Sequence, residues 1–240
     1  MPWLSVIVPV GPDDDIAPTL REQLLQLPAS CEVIEVRALA ARPATVLPGA
    51  FGRAPRWRLI DAPAGRASQQ NQGAAAAGGA CVWFVHADSR FGADTLAAAL
   101  GFARGGTAGL AYFGLRFLDD GPRWMWLNAL GVELRSRWLK LPFGDQGLLL
   151  RRADFLALGG FRPNLAAGED HDLVWRARRA GMPLRRLRAS LYTSARKYGA
   201  GGWARTTFAH LRATAAQAGR FARADAVADI AAPARDRADA

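Results

Sequence analysis

The residues with the clearest chemical potential stand at the end of one short apolar run. Cys81 to Val85 reads as a buried strand, and His86-Ala87-Asp88 follows it directly. Alternate residues of an extended segment share a face, so the imidazole of His86 and the carboxylate of Asp88 project the same way. A carboxylate so placed can hold one Mg²⁺ or Mn²⁺ against the phosphates of a substrate. Asp88 is the candidate metal ligand. His86 is either a second ligand or a neutral residue that fills the strand end. The blander role for Asp88 is a solvated cap of the next helix. Just upstream, Arg66, Gln69 and Asn71 sit among small residues in a helix-like segment. An acidic residue at the carboxyl end of a buried strand, beside a polar helix start, is where open α/β sheets bind ligands.

Such a site needs strands and helices in alternation, and the chain supplies them. Trp3 to Val10, Glu32 to Ala38, Arg56 to Asp61, Cys81 to Val85, Leu110 to Leu118 and Gly147 to Arg151 read as strands. Helical spacing or small-residue runs mark Ile16 to Leu27, Ser68 to Ala77, Asp94 to Arg104, Ala153 to Leu158, Asp172 to Ala180 and a last helix near Trp203 to Gln217. Alternation of this kind predicts a mainly parallel sheet flanked by helices. Ala38 to Pro55 reads as a long connection, and the end of the chain from Ala231 as a disordered tail.

Composition bounds the rest. A chain of 240 residues, half of them apolar and 22% charged, fits one ordinary α/β domain with a large core. The expected division is a single unit over residues 1–220, with one half to about 90 and a second half beyond it. The formal charge of +10 is carried almost wholly by arginine, since Lys140 and Lys197 are the only lysines. It favours anionic partners: a nucleoside diphosphate, an acidic lipid surface or nucleic acid. Cys31 and Cys81 are too few for a disulfide framework and read as reduced and structural. The first ten residues read as a core strand rather than a secretion signal, and no apolar run reaches membrane-spanning length. The expected setting is therefore cytoplasmic. No zinc-finger, RNA-recognition or helix-turn-helix signature supports specific nucleic-acid binding.

Eight blocks, in order, carry a resemblance. They are LSVIVPV from Leu4, GRASQQNQGA from Gly65, FVHADSR from Phe84, LRFLDDGP from Leu115, LPFGDQGLLLRR from Leu141, ALGGF from Ala157, EDHDLVWRARRAG from Glu169 and TSARKYGAGG from Thr193. Over roughly residues 3 to 212 the chain resembles a family 2 glycosyltransferase of the GT-A fold. More narrowly, it resembles the bacterial transferases associated with radical-SAM and selenodomain proteins.

The resemblance implies a Rossmann-like, mostly parallel sheet and inverting, metal-dependent transfer of a sugar from a nucleotide-diphosphate donor, a UDP-sugar first. The acceptor is a small molecule or lipid-linked. It puts Pro9, Arg66, Gln69, Asn71, His86, Asp88, Arg196 and Lys197 on the donor side, with Asp88 and His86 toward the divalent metal (Mg²⁺ or Mn²⁺). Asp170 becomes the general base, Glu169 its orienting neighbour, and Asp145 and Gln146 contacts to acceptor or sugar. Local chemistry offers each a plainer role: helix capping for Asp170, turn geometry for Asp145 and Gln146, and solvated charge for Arg66, Arg196 and Lys197. His171 either tunes the base or lies on a helix surface.

Two features depart from that pattern or exceed it. Relatives end the second strand with an Asp-rich turn that contacts the nucleoside, whereas this chain reads CEVIEVRALAARP, with Arg37 near that place. Glu35, backbone groups or Asp13 to Asp15 are the available substitutes. The segment Arg123 to Phe143 combines Trp124, Trp126, Trp138 and Phe143 with Arg123, Arg135, Arg137 and Lys140. It suits a peripheral membrane contact, an acceptor cleft, a dimer contact or simple core packing. A nucleotidyltransferase on a similar sheet would need a Gly-rich phosphate loop after the first strand, and VPVGPDDD does not supply one.

Overall fold

Strand β1 (Leu4–Val10) shows how the sequence builds two layers at once. Leu4, Val6, Val8 and Val10 face one side of the sheet, and Ile7 faces the other. Both sides are apolar because both are covered, as expected of a parallel strand. The computed structural model describes residues 2–39, 55–165 and 168–208, with 212, 216 and 219. The predicted connection over 40–54, most of the last helix beyond 208 and the terminal tail lie outside the described residues.

Along the chain follow α1 (Pro18–Leu25), β2 (Cys31–Ala38), β3 (Arg56–Ala62), α2 (Arg66–Ala76), β4 (Cys81–Phe84), β5 (Arg90–Phe91), α3 (Ala93–Arg104) and β6 (Leu110–Phe117). Then come α4 (Met125–Trp138), a 3₁₀ turn at Gly144–Gln146, β7 (Leu149–Arg151), α5 (Arg152–Ala157), α6 (Glu169–Arg179), β8 (Leu184–Thr193) and α7 (Arg196–Gly201). The eight strands form one sheet in the order β3-β2-β1-β4-β7-β6-β8-β5. The pairs β1–β2, β1–β4, β2–β3 and β6–β8 are parallel, while β7 and β5 run against their neighbours. This is the mostly parallel, helix-flanked sheet that the alternation predicted.

Helices α1 and α3 cover one face through Leu20, Leu24, Ala99 and Phe102. Helices α2, α5 and α6 cover the other through Ala67, Ala74, Phe155, Leu173, Val174 and Ala177. The small residues of α2 bring its backbone close to the sheet. A Cβ on Gly73 would run into Ile7 and lie 3.1 Å from Val36 Cγ2.

Three readings change. The helix expected over Ile16 to Leu27 starts instead at Pro18 after the N-cap Ala17, where the fixed φ of proline suits the first turn. Helix α6 begins three residues earlier than predicted, so Glu169 and Asp170 belong to its first turn. Strand β8 and helix α7 were not read from the sequence. The apolar rhythm of LRRLRASLYT is interrupted because the β6–β8 register slips between Tyr112 and Gly114, and an irregular register breaks the period-2 pattern.

Candidate active site

The sheet opens at one place. Strand β4 pairs with β1 only as far as Ile7 and Phe84, while β2 stays paired to β1 up to Val10. Pro9 therefore sits where no hydrogen bond to β4 is needed from its missing N–H. Beyond Phe84 the chain leaves the sheet at His86 to Asp88 and turns back, with the Ser89 N–H donating to the His86 carbonyl at 3.0 Å. Chain order runs from β1 outward to β2 on one side and to β4 on the other, the switch point at which open α/β sheets leave a crevice.

A cleft of about 1540 Å³ fills that crevice. Pro9, Arg66, Gln69, His86, Asp88, Asp145, Glu169 and Asp170 all line it. The structure thus gathers most of the predicted site from five separate stretches of chain. The amino-terminal turn of α2, from Gly65 to Gln69, opens into the same space. Its first N–H groups and the helix dipole suit an anion there. Gly65 enters this turn at φ +124°, which favours glycine.

Two sides face each other across the cleft. Arg66, on α2, reaches Glu169, on α6, with Nη1 to Oε1 at 3.6 Å. Asp170 is held by two backbone donors. Its Oδ1 accepts the His171 N–H at 2.9 Å, and its Oδ2 accepts the Gly144 N–H at 2.6 Å. The N-cap of α6 is Gly168, so Asp170 is a first-turn residue and not the cap. Gly144 also brings His86 close: a Cβ there would lie 3.1 Å from Asp170 Oδ2 and 3.4 Å from His86 Nε2. The imidazole at the end of β4 and the carboxylate at the start of α6 thus flank the same glycine.

Other predicted residues turn away. Both ends of the Asn71 amide are used by Phe161, whose carbonyl accepts from Nδ2 at 2.7 Å and whose N–H donates to Oδ1 at 2.9 Å. Gln146 is fully buried. Its Nε2 donates to the Phe113 carbonyl, and its Oε1 accepts from the Ser136 hydroxyl and the Phe143 N–H. Arg196 is exposed outside the cleft, next to Ser194, and the side chain of Lys197 lies outside the described residues. Gln69 lines the cleft but also ties strand ends together, donating to the Val10 and Val36 carbonyls at 2.7 and 2.8 Å. His171 is buried rather than on the helix surface, its ring 3.5 Å from that of Phe143.

The end of β2 explains what Arg37 does. It is buried, with its guanidinium on Glu35 and Asp15, each at 2.7 Å, and Asp15 also pairs with Arg21 at 3.0 Å. Glu35 further accepts the Trp57 indole N–H at 3.1 Å. Arg37 is therefore a structural cation, and of the suggested substitutes Asp14 and Asp15 are the ones that reach the cleft.

Sequence reasoning gave no site role to Arg135. It lines the cleft, with its guanidinium over the Phe143 ring and its Nε–H donating to the Leu141 carbonyl at 3.1 Å. Burial pulls it down to about 10, opposed by the charges of Asp145 and Asp170. An arginine on the inner flank of a helix otherwise rich in exposed tryptophan was the available signal.

Asp88 and His86 form the donor set available to the divalent cation that the resemblance implies. Among the described residues no group of three or more His, Cys, Asp or Glu side chains could hold a metal alone. One carboxylate with one imidazole, both lining the open cleft, suits an ion that takes its remaining ligands from phosphates and water. The residues fit that arrangement.

An open, mostly parallel sheet with a charged cleft at its switch point is the architecture of the GT-A glycosyltransferases, and solved structures share the fold. Staphylococcus aureus TarS (residues 1–349) in complex with UDP aligns at TM-score 0.58 and 18% identity, covering 81% of this chain and 60% of that one. The same protein with UDP-GlcNAc aligns at 0.56. The mannosyltransferase PcManGT from Pyrobaculum calidifontis, in complex with GDP-Man and Mn²⁺, aligns at 0.54 and 20% identity, covering 80% of this chain and 56% of that one. This chain thus spans about three-fifths of the structures it matches. No family model and no curated protein matches it.

Proposed function

We propose that the chain transfers a sugar from a nucleoside-diphosphate donor to an acceptor hydroxyl by single displacement, inverting the anomeric centre. The observation that carries this reading is the Asp170 carboxylate, fixed by two backbone N–H groups and lining the same cleft as Asp88. The fold shared with proteins solved in complex with UDP-GlcNAc and GDP-Man supports it. Residues up to about 90 form the donor half, and those from 91 to 220 the acceptor half.

The chemistry distributes over named groups. The diphosphate lies against the amino-terminal turn of α2, beside Arg66, whose planar fork suits phosphate oxygens. A divalent cation held by Asp88 and His86 would neutralise charge developing on the leaving diphosphate. Asp170 takes the proton of the acceptor hydroxyl as its oxygen bonds to the anomeric carbon and the bond to the diphosphate breaks. Glu169 and Arg66 hold each other across the cleft and keep both sides in register. Asp145 stands beside the base, on the acceptor side. UDP-sugars are the first donors to try, with Asp14 and Asp15 at the nucleoside end.

The test is thermal unfolding with UDP, GDP, CDP and dTDP, each with and without Mn²⁺. One diphosphate should raise Tm, since a ligand at a hundred times its Kd stabilises by about 2.7 kcal/mol. The metal should enlarge the shift. Asp88→Ala should fold normally, because Asp88 is exposed, and should lose the metal-dependent part. A metal effect undiminished in Asp88→Ala would remove Asp88 from the site.

A further inference from the structure

The outer face of α4 has no partner in the chemistry above. Among the described residues twelve large apolar side chains are exposed, and seven fall between Trp124 and Leu139. Leu127, Leu130, Leu134 and Trp138 recur at helical spacing and make one stripe, extended by Trp124 and Trp126. Only Met125 and Ser136 of this helix are buried. The core-packing reading of this segment is thereby set aside, because its tryptophans point to solvent. A contiguous apolar patch on a globular protein marks an interaction surface.

What surrounds the stripe decides between partners. Arg123, Arg137 and Lys140 are exposed beside it, and the Arg123 guanidinium lies over the Trp124 ring at 5.9 Å. The one acidic residue of the helix, Glu133, is paired with Arg137 at 3.5 Å and with Arg186 at 2.9 Å. The face is therefore apolar with a net positive rim. Tryptophan with flanking arginine and lysine is the composition that rests at the headgroup level of a bilayer. The stripe also continues inward: Leu127, Leu134, Trp138 and Leu139 line the cleft that holds Asp145 and Asp170. No described helix is long and apolar enough to cross a membrane, so the contact that fits is a peripheral one.

We propose that α4 docks on an anionic lipid bilayer and sets the mouth of the cleft at its surface. The consequence for chemistry, which rests on the transfer reaction proposed above, is that the acceptor is an amphiphile. Its apolar chain lies along the stripe while its hydroxyl reaches Asp170.

The full-length protein should sediment with phosphatidylcholine vesicles containing phosphatidylglycerol at low salt, and not with pure phosphatidylcholine. Replacing Arg137 and Lys140 by glutamine should weaken partition about 5-fold per charge. Trp126→Ser with Leu130→Ser should weaken it about tenfold or more, the loss expected for two apolar side chains that no longer enter the interface. Neither pair lines the cleft, and both should keep the Tm response to nucleoside diphosphate. Absence of sedimentation with anionic vesicles overturns the docking, as does binding that survives Trp126→Ser with Leu130→Ser. A dimer in solution that this apolar pair dissociates would give the face to a second copy and overturn it too. A Tm response without vesicle binding defeats the docking alone, and vesicle binding without any nucleotide response defeats the transfer reading alone.

Discussion

Both carboxylate oxygens of Asp170 accept backbone N–H groups, one from the next residue and one from Gly144, 26 residues away in the chain. That geometry alters how the residue should be tested. Asparagine is nearly the same size, but its amide nitrogen would face one of those two donors and leave it unpaired. Asp170→Asn should therefore cost about 1 kcal/mol of stability. Its turnover should fall much further, by about 10² to 10⁴, the usual contribution of a positioned acid–base group. Measured kcat and Tm on the purified variant separate the two effects. Near-normal turnover, or a product that keeps the donor's anomeric configuration, would show the mechanism to be wrong.

At the scale of elements, the site is a meeting of helix starts and turns that are each braced from behind. Gln146 fastens the 3₁₀ turn to β6 and α4, and so aims the Gly144 N–H at Asp170. Asp172 is buried at the start of α6 and pairs with Arg176 at 2.7 Å and Arg162 at 3.2 Å. Arg176 in turn donates to the carbonyls of Leu158 and Gly160, fixing the chain that leads into α6. The segment before α7 depends on Asp120, which accepts the Ser194 hydroxyl and the Ala195 N–H, each at 2.7 Å. Desolvation pushes the Asp120 carboxyl up, but those two bonds and nearby Arg196 outweigh it and hold it below the usual carboxylate range. A depressed acid stabilises above its ordinary value of about 3.9 and loses that contribution as pH falls through the depressed one. Amide protection factors in residues 193–198, which divide out the intrinsic pH dependence of exchange, should therefore fall in acid, and in Asp120→Ala they should fall already at neutral pH. Protection indifferent to both would mean that Asp120 does not anchor this segment.

For the whole molecule, the two cysteines report on the packing of the sheet. Leu4 pairs with Cys31 on one side and Cys81 on the other. The thiols are therefore two strand spacings apart, about 9.5 Å, too far to bridge. Both are buried and free, as expected from the sequence. Burial pushes each thiol above its ordinary value. The folded state thus keeps protons that the unfolded state releases above about pH 8.5, and stability falls as pH rises past that point. Tyr112 and Tyr198, also raised by burial, add to the fall above about pH 10. Urea midpoints should drop between about pH 8 and pH 10, and less steeply in Cys31→Ala with Cys81→Ala. Thiol reagents should leave the native protein unmodified, and rapid modification would show that these strands open.

The sequence by itself determined the layers and the chemistry at the strand ends. The apolar alternation of Leu4 to Val10, the small residues of α2 and the triplet His86-Ala87-Asp88 are local signals, legible because each depends on neighbours in the chain. It also carried Glu169-Asp170, though only through resemblance. Tertiary structure alone decided which polar side chains face the cleft. Asn71 and Gln146 read as site residues because an amide looks the same in sequence whether it meets a ligand or a distant backbone. Arg37 stood where relatives carry the nucleoside-contacting Asp, and only the packing shows that Glu35 and Asp15 hold it as a structural cation. Arg135 reached the cleft, and the α4 tryptophans reached solvent, for the same reason: one helix was turned by contacts with β6 and the 3₁₀ turn. Strand β8 was hidden by a register slip that only its pairing with β6 reveals. Local periodicity encodes which face of an element is apolar. Which distant groups satisfy a buried donor or acceptor is settled only when the elements meet, because a buried polar group takes whatever partner the packing brings within reach.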